Sequence, residues 1–177
     1  MHRGIAVIAA LAVCAAPAMA QGKTKPGAVG PAAIQIVEIC EAFARGDVLA
    51  TDDAIALGWD AYAGEGESPY IRTFNAHKEL PGIGLADLFV LFEDYPASTL
   101  GYCRMDVIEP AGNRGLEAIQ AIQNLDRYEG TSQQVSEGNF ASLTGVDDPN
   151  RMLLAHWNAE AFVIQLTIIT EKSGPAD

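Results

Sequence analysis

The sequence predicts an α+β fold. The expected architecture is an antiparallel curved sheet of about six strands with helices packed on one face, in the order ααβββαβββ. Three observations predict it. Apolar residues recur at helical spacing in two stretches, Ile34 to Phe43 and Leu116 to Leu125. Period-two alternation marks 70–76, 99–108 and 161–170, and the apolar run 87–93 reads as a strong strand. Hydrophobic residues make up 49% of the 177 residues and charged ones 19%, a globular balance with room for one domain.

The elements follow in chain order. Residues 1–20, MHRGIAVIAALAVCAAPAMA, open with a basic start and continue as an apolar run to the small-x-small triplet Ala18-Met19-Ala20. That is the order of a cleavable signal peptide, too short to span a bilayer and interrupted by Pro17. Lipidation at Cys14 is the rival, but Val13 departs from the small residue such a site favours. The mature chain is therefore expected to start at Gln21 and to be exported: periplasmic in a two-membrane bacterium, otherwise secreted. Residues 21–30 read as a flexible leader, 31–171 as one domain and 172–177 as a tail.

Pro31 suits a first helical residue, and Ile34, Val37, Cys40 with Ile36, Ile39, Phe43 give the helix a wide apolar face up to Gly46. Thr51 before Asp52 and Asp53 reads as an N-cap with carboxylates near the positive helix end. That short helix ends at Gly58, and Trp59 then covers the core edge. Residues 60–69, DAYAGEGESP, read as a loop by composition. Strands are expected over 70–76, 87–93 and 99–108, then a helix from Leu116 to about Asn124. One edge strand starts at Tyr128, with 140–144 as its continuation, and 151–157 with 161–170 form a hairpin. The residues show no internal repeat.

Composition also excludes functions. The formal net charge is −12, and removal of the signal peptide, which carries Arg3 and no acid, makes it one unit more negative. Nucleic-acid binding needs clustered Lys and Arg, so nucleic acid is excluded, and so is adhesion to an anionic membrane. No stable membrane span is expected after cleavage. No serine-hydrolase elbow, phosphate loop, His-Glu-x-x-His or Cys-x-x-Cys occurs, so no catalytic set, metal set or cofactor is assigned. In an exported chain, Cys40 and Cys103 read first as a disulfide. The competing enzyme reading is a small envelope hydrolase. It would use either of those cysteines with His77 or His156, or a metal held by those histidines and carboxylates.

One charge feature stands out. Between Arg45 and Arg72 lie six acids and no base: Asp47, Asp52, Asp53, Asp60, Glu65 and Glu67. A solvated acidic face explains such a run, and so does a docking surface for a cationic partner. The candidate binding residues are Asp52, Asp53, Trp59, Asp60, Tyr62, Glu65, Glu67 and Tyr70. The expected function is a disulfide-stabilised, non-catalytic binding module for a cationic protein or a small ligand. Its narrower form is an inhibitor or immunity protein for a basic envelope enzyme. The layout of leader, helix with Cys40, Gly58-Trp59 and strand with Cys103 resembles small exported bacterial proteins, and that resemblance implies no activity.

Overall fold

The structure, a computed structural model, describes residues 29–64 and 68–172. The signal peptide, Cys14 and most of the leader lie outside these residues, as do Glu65, Glu67 and all of the tail except Lys172. The elements are α1 (Val29–Ala44), α2 (Ala50–Ala56), β1 (Asp60–Gly64), β2 (Ile71–Leu80), β3 (Gly84–Asp94), β4 (Ser98–Ile108), α3 (Gly115–Gln123), β5 (Tyr128–Val135), β6 (Gly138–Gly145), β7 (Arg151–Trp157) and β8 (Ala161–Glu171). The strands form one 8-stranded antiparallel sheet in the order β1-β2-β3-β4-β8-β7-β6-β5.

This corrects the expected six strands and the order ααβββαβββ. The first missing strand is β1, read as a loop because Ala, Gly and acids are poor strand formers. It forms because β2 offers it a complete ladder, from Asp60 opposite His77 to Gly64 opposite Thr73. The second is β6, read as a continuation of β5. A tight turn at Ser136 and Glu137 folds it back instead, with Val135 opposite Gly138. The helix starts also shift. α1 begins at Val29, so Pro31 is its third residue, and α2 begins at Ala50 with Leu49 as N-cap, so Thr51 lies inside the helix.

The chain path repeats although the residues do not. A helix and a four-strand meander (α2, β1–β4) are followed by another helix and meander (α3, β5–β8). The two halves join through β4 and β8, each 11 residues long, with Cys103 opposite Leu166 at the middle of both.

One sheet face carries the core. Alternate residues Leu88, Val90, Cys103, Met105, Ile164, Leu166, Leu153 and Ala155 are buried against the helices. α1 lies over β3, β4 and β8, α3 over β5–β7, and α2 against β1. α1 places Ala33, Ile36, Val37, Cys40 and Phe43 toward the sheet at helical spacing. Cys40 is joined to Cys103 by a disulfide, with Cα atoms 5.3 Å apart, tying α1 to the middle of the sheet. The end of α1 rests on Gly101, where an added Cβ would stand 1.7 Å from the Ala44 carbonyl oxygen. Trp59, only 3% exposed, belongs to this core.

A polar group is built into the same face. Glu41 of α1 is buried and accepts hydrogen bonds from Arg127 Nε at 2.8 Å and Tyr128 Oη at 2.7 Å. Arg151 stacks over the Tyr128 ring at 5.0 Å and donates to the Arg127 carbonyl at 3.1 Å. Burial, reinforced by Glu41, pushes the Tyr128 phenol well above its usual pKa. Here α1 is fixed to the start of β5 by directional bonds as well as by apolar contact.

Candidate functional site

Helices cover one face of the sheet; among the described residues, no element covers the other. Strand register decides which side chains meet there. One row crosses all the strands: Asp60, His77, Asp87, Asp106, Val163, His156, Phe140 and Gln133. The adjacent row runs Tyr62, Asn75, Phe89, Arg104, Gln165, Leu154, Ser142 and Thr131. A depression of about 160 Å³ lies at the β1 side, lined by Tyr62, Asn75, His77, Asp87, Phe89 and Asp106.

The charge on this face is strongly one-sided. Asp60, Glu79, Asp87, Glu93, Asp106 and Glu129 all belong to it by register. Arg104 is its one Lys or Arg among the described strand residues, and Asp106 grips it in a fork at 2.7 Å for both bonds. This pairing holds the guanidinium pKa above its usual value. Asp87 and Asp106 stand directly opposite each other, a like-charge pair that weakens a sheet. His77 Nε2 lies 3.3 Å from Asp60 Oδ2. His156 stacks on Phe140, with centroids 5.8 Å apart. Burial, and then the nearby Arg104 charge, keep its pKa below the usual histidine value, with Asp106 partly opposing them. Apolar side chains interleave with the acids: Phe89 is 41% exposed, and Tyr62, Met152 and Leu154 are also exposed.

The residues singled out from the sequence divide among different places. Asp60 and Tyr62 reach the open face from the edge strand β1. Asp52 and Asp53 sit exposed in the first turn of α2, on the helical side. Tyr70 precedes β2 and packs on Tyr95 at 5.9 Å. Trp59 is inside the core, with Lys78 Nζ 5.9 Å from its ring. Glu65 and Glu67 lie outside the described residues. Sequence reasoning missed Asp87, Phe89, Arg104 and Asp106. Their signal was the second parity of the strands: the residues between Leu88 and Val90, and between Cys103 and Met105, were the outward set.

The alternative chemistries can be placed too. Cys40 and Cys103 are fully buried and bonded to each other, so neither sulfur is a thiolate here. The disulfide suits an oxidising compartment. His77 and His156 are in one row but four strand spacings apart, roughly 19 Å at ~4.8 Å per strand. That exceeds the span of any single metal ion's ligands. Among the described residues, no group of three or more His, Cys, Asp or Glu could hold a metal ion. No helix among them is long and apolar enough to cross a membrane.

Comparison with protein-family models, with curated proteins and with solved structures finds no match to this chain.

Proposed function

We propose that this chain is an exported, non-catalytic binding protein that takes a basic partner protein onto its uncovered sheet face. The observation that supports this reading is the open face itself, where acids and exposed aromatics interleave and the one arginine is already paired. Asp87 stands opposite Asp106, whose charge Arg104 already offsets, so Asp87 is the acid of this pair left for a cationic group from outside. A single-sign surface also speeds encounter with an oppositely charged protein. The face is roughly 34 Å across at ~4.8 Å per strand. That accommodates a standard interface of about 800 Å² per partner. Export rests on the apolar leader with its Ala18-Met19-Ala20 site, in agreement with the disulfide.

The test separates a located surface from bulk charge. The mature protein is titrated with cytochrome c, a basic probe, at low salt. One variant carries Asp60→Lys, Glu79→Lys and Asp87→Lys on the open face. A matched variant carries Asp126→Lys, Asp147→Lys and Glu160→Lys in exposed loops. The face variant should bind at least tenfold more weakly than the loop variant. Equal weakening by both would mean that only net charge acts, and would overturn the reading.

A further inference from the structure

A second cavity lies on the helical side of the sheet, at the end of β6 and β7, away from the acidic face. It has a volume of about 310 Å³. The β5–β6 hairpin lines it with Gln134, Ser136, Glu137 and Asn139, the loop before α3 with Asn113, and the turn after β7 with Asn158. Trp157, almost fully buried, forms part of its wall.

Asn139 is the unusual residue. It lies on the core side of the sheet, opposite Trp157, and is 6% exposed. Its Oδ1 is buried and has no hydrogen-bond partner. A buried acceptor left unpaired costs about 1–3 kcal/mol, so its presence at a cavity wall calls for an explanation. The hairpin that carries it is tightly seated: a Cβ added at Gly138 would stand 2.6 Å from the Trp157 carbonyl oxygen. Asn139 is thus held by packed backbone, in the manner of a preorganised binding group.

The lining chemistry selects the ligand class. Each amide offers one acceptor and two donors, and Ser136 offers both. Such a wall matches a ligand whose groups each donate and accept, which describes hydroxyls. No Lys or Arg lines the cavity, so it has no cation to neutralise a phosphate or carboxylate, and its one acid, Glu137, is exposed at the rim and adds a further acceptor for hydroxyls. An apolar ligand would leave the amides desolvated and unpaired. The volume lies at the small end of ligand sites.

We infer that this cavity binds a neutral polyhydroxylated ligand, a sugar of one or two rings, with Asn139 as its central hydrogen-bonding group. This inference stands independently of the acidic face.

The experiment is an amide-detected NMR titration of the mature protein with maltose, cellobiose and chitobiose, each to 50 mM. At least one sugar should give saturable shifts at the Asn139, Asn113 and Gln134 side chains. Gln134→Ala, at the exposed rim, should keep the fold and weaken that binding about three- to tenfold. Asn139→Leu should abolish binding and raise the melting temperature, because it removes an unpaired buried amide. The inference is overturned if none of the three sugars gives saturable shifts at those side chains. It is equally overturned if Asn139→Leu lowers the melting temperature, which would make Asn139 a structural residue.

Discussion

The two faces of the sheet are made from the same strands, yet they obey different rules. On the covered face most inward residues are apolar and pack on the helices, and its buried charged residues Glu41 and Arg151 are hydrogen-bonded. On the open face, like charges stand opposite each other and aromatics remain partly wet. The covered face is arranged mainly for stability, with the unpaired Asn139 at the cavity wall an exception. The open face departs from what stability alone would select, and such departures mark function.

Substitutions can break or sharpen this contrast. The largest loss should follow the double change Cys40→Ala with Cys103→Ala. The bond closes a loop with a sequence separation of 63, which on the chain-entropy model stabilises the fold by about 4 kcal/mol. Denaturant titration should show a loss of that order. Gly101→Ala should come next, at about 3 kcal/mol, because the new methyl meets the α1 backbone rather than a movable side chain. Glu41→Gln should cost about 2 kcal/mol. It leaves Arg127 without its carboxylate, although Arg127 is one-third exposed and water compensates in part.

Open-face changes should scarcely register on the same scale. Phe89→Ser and Leu154→Ser should each shift stability by no more than about 0.5 kcal/mol by thermal melting. A loss of several kcal/mol from either would mean that this face, too, is part of the core. The smallest effect concerns pH. His156 has its pKa held below the usual 6.5 by burial and by Arg104. The unfolded chain therefore takes up the proton first as pH falls. His156's contribution should be complete above about pH 6.5 and decline below it. His156→Gln should flatten that part of the stability–pH profile.

Much of the covered face was legible in the sequence. Helical spacing turned Cys40 inward and alternation put Cys103 on the same side as Met105, while the pairing itself was expected from an exported chain with two cysteines, and the disulfide is present. Burial alternates along β3, β4 and β7 because one side of each is packed and the other open. β1 and β5 are the two edge strands, where few positions are buried and composition resembles a loop, and β6 was hidden because the polar turn at Ser136 and Glu137 gave no sign that the chain reverses there. The open face was hidden for another reason. Asp60, His77, Asp87, Asp106 and His156 meet only through strand register, and register is a property of the assembled sheet. The acidic run was visible in the sequence, but the fold carries Asp60 to one face and Asp52 and Asp53 to the other side.

The most direct measurement is site-specific photocrosslinking in the compartment where the protein works. A photoreactive residue is placed at Phe89 on the open face and, separately, at exposed Gln120 on α3. The account predicts a covalent adduct with a basic protein from Phe89, lost when Asp60, Glu79 and Asp87 are reversed to Lys, and no such adduct from Gln120. An adduct from Gln120 alone, or one from Phe89 that survives the reversal, would contradict it.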